Sequence, residues 1–197
     1  MCLVVDRSCD RHPLAPTVTA VVEAGVDWVQ LRDRTLAGAD WLSWAKDIAN
    51  AARSAEVLVN RRLDVALAIA AQGVHLGFDA VSPPEAAALL PPGSRIGASA
   101  HSPEDVRSAQ AAGATYAQLA PIWDPFSKAP ERPPLGPRVL AEACETGFPV
   151  LAQGGVSAAR CAEALAAGAA GVAVTGDLLL ADDPVAAARA LRAALDR

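Results

Sequence analysis

The chain alternates between short apolar runs and longer Ala-rich segments. In the Ala-rich segments apolar side chains return every three or four residues, as on one face of a helix, whereas the runs have the length of strands. This alternation is typical of repeated βα units. It predicts eight strands, at residues 3–6, 28–32, 57–60, 73–77, 95–99, 116–120, 149–154 and 171–175.

Capping and turn residues fall where one kind of segment gives way to the other. A capping side chain followed by proline marks a helix start, and this pair occurs at Ser82, Ser102 and Asp183. A glycine that ends a helix takes the left-handed conformation. We expect this of the glycines in the Ala-Gly and Gln-Gly pairs near four predicted strands, which are Gly25, Gly73, Gly113 and Gly168.

The predicted strands are too apolar to have a solvated face, so helices must cover them. Two architectures remain, an open doubly wound α/β sheet and a closed barrel. Eight βα units favour closure. A length of 197 residues, 52% of them hydrophobic, suffices for one sizeable core. We therefore predict an α/β fold, a single compact (β/α)8 TIM barrel domain over residues 1–197.

Composition narrows the class of partner. A net charge of -5 and an aromatic content of 4% argue against a nucleic-acid partner. No apolar stretch reaches the roughly 18 residues that span a bilayer, and the strand-like start carries no basic leader. We expect a cytoplasmic protein with no membrane partner, for which a homodimer stays open. The cysteines are far apart, which predicts free thiols and no metal site.

Polar residues interrupt the apolar runs at the carboxyl ends of the predicted strands. In a barrel these ends meet at one mouth, so their side chains converge there. The mouth is predicted to carry Asp6, Gln30, Arg32, Asn60, His75, Ser99, Gln118 and Gln153.

The last two strands end in small residues suited to phosphate binding. Gly154 and Gly155 follow the seventh strand, and Val174 and Thr175 end the eighth. Many barrels bind phosphate at this place through backbone N–H groups. A pair of glycines also serves a tight turn, so the alternative is a purely structural role.

Residues 121–137 contain six prolines, which exclude a helix interior or a central strand there. The stretch is either an inert surface loop or a wall of the site. Lys128 lies within it and could give a fixed charge to a phosphate or a leaving group, or simply be solvated. His75 lies inside an apolar strand, where structural histidines are more common than catalytic ones. No acid is placed by spacing to complete a nucleophilic triad with Ser99.

Seven motifs in order along nearly the whole chain resemble the family of thiamine-phosphate synthase and the TenI-type thiazole tautomerases, which are (β/α)8 barrels. The motifs are Val29-Gln30-Leu31-Arg32, Val59-Asn60 with Arg62-Leu63-Asp64-Val65-Ala66, Gly73-Val74-His75-Leu76-Gly77, Ile96-Gly97-Ala98-Ser99-Ala100-His101-Ser102, Pro121-Ile122-Trp123 with Ser127-Lys128, Pro134-Leu135-Gly136 and Gly154-Gly155-Val156.

The resemblance implies roles for these residues. A synthase joins a pyrimidine pyrophosphate to a thiazole phosphate, with Mg²⁺ assisting the departure of pyrophosphate. Gly154, Gly155, Val174 and Thr175 would hold the thiazole phosphate. The residues that would surround the pyrimidine and its pyrophosphate are Gln30, Arg32, Asn60, Ser99 and Lys128.

The chain departs from the family where magnesium would bind. Arg61 stands where an Asp normally follows the Asn of the third strand, and Ala80 stands where the second Asp is usual. Arg34 replaces a Lys. Without both carboxylates a pyrophosphate leaving group lacks its metal, unless Arg61 and Arg34 act as fixed cations.

The departures order three functional hypotheses. The first is a metal-independent tautomerase-like enzyme that binds thiazole phosphate and has no cofactor; because the usual His near the sixth strand is absent, His75 or another residue would carry its proton. The second is a thiamine-phosphate synthase, the one reading that would require Mg²⁺. The third is a non-catalytic paralogue that binds thiazole phosphate or thiamine phosphate.

Overall fold

The computed structural model describes residues 1–9, 11–124 and 132–197. The strands are β1 (Cys2–Asp6), β2 (Trp28–Arg32), β3 (Glu56–Asn60), β4 (Gly73–Leu76), β5 (Arg95–Ala100), β6 (Tyr116–Leu119), β7 (Val150–Gln153) and β8 (Gly171–Val174). The helices are α1 (Leu14–Glu23), α2 (Gly38–Ala51), α3 (Leu63–Ala68), α4 (Pro83–Leu89), α5 (Pro103–Ala111), α6 (Gly136–Cys144), α7 (Ala158–Ala166), α8 (Gly176–Leu179) and α9 (Pro184–Leu195).

The sheet closes on itself. The strands follow one another in chain order around a parallel barrel, and β8 pairs with β1 so that Leu3 lies beside Val174. This order confirms the (β/α)8 barrel over the open sheet. Each strand begins and ends within one residue of its predicted bounds.

Alternate residues of a strand point to opposite sides of the barrel wall. On β1, Leu3 and Val5 point outward into the main core between strands and helices, whereas Cys2 and Val4 point inward. The inner cluster is small, and Trp28 packs against it. It consists of Cys2, Val4, Leu58, Tyr116, Leu151 and Ala173.

The helix ends largely follow the sequence signals. The side chain of Ser102 accepts a hydrogen bond from the Asp105 N–H at 3.1 Å. Three of the four glycines expected to be left-handed have positive φ, and the prediction for Gly73 is wrong. Gly73 opens β4, and a Cβ there would lie 2.8 Å from the Arg95 carbonyl carbon, so close approach to β5 requires the glycine. Ala70 takes the left-handed conformation instead, with a φ of 51°.

The helices are short. The longest among the described residues, α2, has 14 residues, whereas a bilayer needs about 20 apolar residues in one helix. In the ranges that the structure describes, no helix has the length and apolar character to cross a membrane.

Candidate active site

A cavity of about 410 Å³ opens at the carboxyl ends of the strands. Moving two residues along the inward-facing row of a strand leads from an apolar side chain to a polar one, as from Leu58 to Asn60. A polar ring therefore lies above the inner apolar cluster. The predicted site residues that line the cavity are Gln30, Arg32, Arg34, Asn60, Arg61, His75, Ser99, Gly154, Gly155, Val174 and Thr175. Lys128 lies outside the described residues.

His75 lies at the floor of the cavity and is 2% exposed. Its Nε2 is 3.0 Å from Ser99 Oγ, and its Nδ1 is 3.3 Å from the Tyr116 hydroxyl. Burial, helped by the charge of Arg32, lowers the pKa of His75 to about 3. The imidazole is therefore neutral near pH 7, and both nitrogens are engaged. These are the surroundings of a structural histidine, and its catalytic role stays a prediction.

Gln30 presents an unsatisfied donor to the cavity. The side chain is 1% exposed, and its Oε1 accepts a long hydrogen bond of 3.5 Å from Asn60 Nδ2. The buried Nε2 has no hydrogen-bond partner among the described residues. A buried N–H without a partner costs free energy, so a ligand acceptor at this point would be stabilised.

Arginines dominate the side of the mouth that follows β2, β3 and β4. Arg32 is ion-paired with Asp6, and Arg61 with Asp79 across the ends of β3 and β4. Arg34 lines the same cavity, and no carboxylate among the described residues pairs with it. We call Arg32, Arg34 and Arg61 the arginine side.

The carboxylates of the cavity do not suit a magnesium ion. Mg²⁺ is usually held by one or two carboxylates together with phosphate oxygens and water. Asp6 and Asp79 are each already paired with a guanidinium, and Asp177 lies elsewhere, in the first turn of α8. In the part of the chain that the structure describes, no three His, Cys, Asp or Glu side chains are grouped as metal ligands. The residues present therefore do not fit the ion that the resemblance associates with a synthase.

The opposite side of the mouth is made of backbone. Gly154 and Gly155 have φ values of 91° and 60°. A Cβ on Gly154 would lie 2.8 Å from Pro121 Cβ, and one on Gly155 would lie 2.9 Å from the Asp124 carbonyl carbon. The loop after β6 packs this closely because the Trp123 N–H donates to the Gly154 carbonyl at 3.1 Å. Both glycines thus have a packing reason beside the predicted phosphate role. We call Gly154, Gly155, Val174 and Thr175 the backbone side.

Phe78 was not predicted as a site residue, although it lines the cavity. Its side chain is 64% exposed, and its ring stacks on His101 at a centroid distance of 4.8 Å and an angle of 26°. The signal available in the sequence was its position, directly after the Gly77 that ends the fourth-strand motif. An exposed aromatic face at the mouth is suited to a planar ring.

Asp177 was also missed. It lines the cavity beside Thr175 and is partly buried. Burial raises the pKa of its carboxyl to about 6, although the charge of Arg160 lowers it in part. A carboxyl group that titrates near neutrality in a cavity can exchange a proton with a ligand. Only its place just after the eighth strand could have drawn attention to it.

Comparison with known proteins identifies similar chains. A family model described as thiamine monophosphate synthase (TMP-TENI) matches residues 1–178. A thiamine-phosphate synthase of Methanoculleus marisnigri is 43% identical over 194 residues, which cover 96% of this chain and 92% of the relative. One of Roseiflexus is 36% identical over 192 residues, covering 96% and 81%. The solved thiamine phosphate pyrophosphorylase of Pyrococcus furiosus superposes with a TM-score of 0.85 at 27% identity, covering 99% of this chain and 95% of that one.

Proposed function

The chain belongs to the thiamine monophosphate synthase family, and from this premise we propose that it is a thiamine-phosphate synthase, which joins a pyrimidine diphosphate to a thiazole phosphate. The relatives named above carry that activity in their names. They support the synthase over the tautomerase that the sequence placed first.

The proposed reaction moves one pair of electrons at each end of a single carbon atom. The bond between the pyrimidine methylene carbon and the diphosphate oxygen breaks, and its electron pair leaves on the diphosphate. The lone pair of the thiazole ring nitrogen forms the new C–N bond, which leaves a thiazolium cation. No proton has to move. The barrier comes from the charge that gathers on the leaving oxygen, and fixed cations lower it.

One observation carries this choice, the neutral and enclosed state of His75. A tautomerase must move a proton, and the residue predicted to carry it has a pKa of about 3 and is hydrogen-bonded at both nitrogens. A synthase needs no such residue. In our proposal His75 holds Ser99 and Tyr116 in place, and Gln30 Nε2 donates to the pyrimidine.

The ligand groups are assigned to the two sides of the mouth by their chemistry. The thiazole phosphate would lie at the backbone side, where N–H groups without bulky side chains suit phosphate oxygens. The pyrimidine would lie over Gln30 and Asn60. Magnesium enters no step, because the carboxylates that line the cavity do not fit it.

A second candidate function rests on Asp177. Its raised pKa, about 6, would let it give and take the proton of a thiazole tautomerisation. A non-catalytic binding protein would need neither group.

Product analysis separates the candidates. We would incubate the full chain with pyrimidine diphosphate and thiazole phosphate, and separately with the thiazole carboxylate phosphate tautomer. Formation of thiamine phosphate supports the proposal. Rearomatisation of the tautomer alone, abolished by Asp177→Asn, would establish the second candidate. Binding of thiazole phosphate without turnover in either mixture would leave the binding protein.

A further inference from the structure

Arg61 has an unusual backbone conformation at the end of β3. Its φ is 65°, in the left-handed region that residues other than glycine seldom adopt, and its N–H donates to the His75 carbonyl at 2.9 Å. Such conformations persist where surrounding contacts hold them, and they are frequent at ligand sites. Here the contacts turn the side chain across the mouth towards Asp79.

The Arg61–Asp79 pair lies in a wall shared by two openings. The main cavity is on one side, and an adjoining groove, which Trp41 and Arg62 help to line, is on the other. Arg34 also lines both openings. An anion at this wall would therefore reach two guanidinium groups at once.

The acids near this wall are already neutralised. Asp79 is paired with Arg61 and Asp6 with Arg32. Asp33 accepts hydrogen bonds from the N–H groups of Thr35 and Leu36, at 2.7 Å and 2.6 Å. These hydrogen bonds and the charge of Arg7 outweigh burial and lower the pKa of Asp33, so it stays ionised but satisfied. The cation without a carboxylate partner among the described residues at this wall is Arg34.

We propose that Arg61 and Arg34 bind a diphosphate group directly, so that this site works without a divalent cation. A guanidinium group offers planar pairs of N–H donors that match phosphate oxygens, which gives it geometry as well as charge. A metal ion would have to displace Arg61 from Asp79 to find a carboxylate. The inference rests on the proposed function only for the reason that a diphosphate would be present.

Calorimetric titration of the full chain with inorganic pyrophosphate tests this, once in a chelator and once in Mg²⁺. We expect binding in the chelator, and no tightening by Mg²⁺, because the complexed anion carries less charge for the arginines. Binding that needs Mg²⁺, or the absence of binding in both buffers, would overturn the proposal.

Two substitutions break the same ion pair in opposite ways. Arg61→Asn removes the cation but keeps a residue that tolerates positive φ, and we expect pyrophosphate binding to weaken by about tenfold or more. Asp79→Asn leaves the cation and removes the competing carboxylate, so binding should tighten by roughly threefold or more. Equal weakening by both variants would mean that the pair is only structural and would overturn a direct role for Arg61.

Two further variants keep the test independent of folding. Arg34 is exposed, so Arg34→Gln should fold normally and weaken binding by about tenfold. Arg53→Gln, at an exposed position just beyond α2, is the matched control and should bind like the wild type. Indistinguishable affinities for Arg34→Gln and Arg53→Gln would contradict the proposal. Thiazole phosphate is titrated separately, so its failure to bind would count against the proposed function alone.

Discussion

The two sides of the mouth handle anions with different parts of the chain. The arginine side depends on long side chains, each of which can be exchanged while the backbone stays as it is. The backbone side depends on Gly154 and Gly155, where neighbouring atoms leave no room for a Cβ. Packing therefore resists change on the backbone side, whereas the chemistry of the arginine side can drift. The chain accordingly matches its family at the backbone side and departs from it at Arg61, Arg34 and Ala80.

The largest effect is expected from adding a methyl group to the backbone side. Gly155→Ala combines a φ of 60° with a Cβ 2.9 Å from the Asp124 carbonyl carbon, so the loop after β6 must move. We expect the free energy of unfolding to fall by roughly 3 kcal/mol, measured by urea denaturation. Thiazole phosphate binding should also be lost.

Gly147→Ala is the matched control for that substitution. Gly147 has a φ of 69°, but a Cβ there would meet nothing within 4 Å. It should cost about 1 kcal/mol, the conformational part alone. Equal losses for the two variants would show that packing against Asp124 is unimportant and would weaken the contrast between the two sides.

The next effect is a gain of metal binding on the arginine side. Arg61→Asp together with Ala80→Asp places carboxylates after β3 and β4, which are neighbouring strands. The double variant should bind Mg²⁺ and should bind pyrophosphate about tenfold more tightly with the ion than without it. Ala80→Asp alone is the control, since Arg61 would neutralise the new carboxylate. Mg²⁺ binding by the control would count against the interpretation of Arg61 as the built-in cation.

A smaller effect is expected from Asp177, which borders the backbone side. Its folded pKa, about 6, is above the ordinary 3.8, so the folded protein binds more protons between about pH 4 and pH 6. Stability should therefore fall as pH rises through this window. Asp177→Asn should remove that fall and add about 1 kcal/mol near pH 7, a value reduced for solvent screening. Thermal unfolding from pH 4 to 8 measures this, with the exposed Asp47→Asn as control.

The smallest effect on stability is expected from Phe78→Ala. The ring is 64% exposed, so the free energy of unfolding should change by less than about 0.5 kcal/mol. If the ring supports the pyrimidine, the affinity for pyrimidine diphosphate should fall by roughly three- to tenfold, while the affinity for inorganic pyrophosphate stays the same. Equal losses for both ligands would mean that Phe78 acts through the arginine side.

The sequence was informative where a local rule decides the structure. The alternation along a strand places Leu58 inside the barrel and Asn60 at its mouth, so eight strand ends bring the polar residues together. Gly73 shows where local rules stop, because the residue that needs it is Arg95 on the next strand. A turn signal and a packing requirement look identical in one sequence.

The pairing within the site could not be predicted for the same reason. That Arg61 reaches Asp79 depends on a φ of 65°, which no local preference of arginine suggests. The raised pKa of Asp177 comes from burial by residues distant along the chain, so its role also becomes visible only in the folded barrel.

The rate of thiamine phosphate formation in a chelator tests the account most directly. We would supply pyrimidine diphosphate and thiazole phosphate to the wild type, with and without Mg²⁺, and compare Arg61→Asn under both conditions. The account predicts comparable turnover of the wild type in the two buffers and a strong loss for Arg61→Asn. Turnover of the wild type only in Mg²⁺, unaffected by Arg61→Asn, would contradict it.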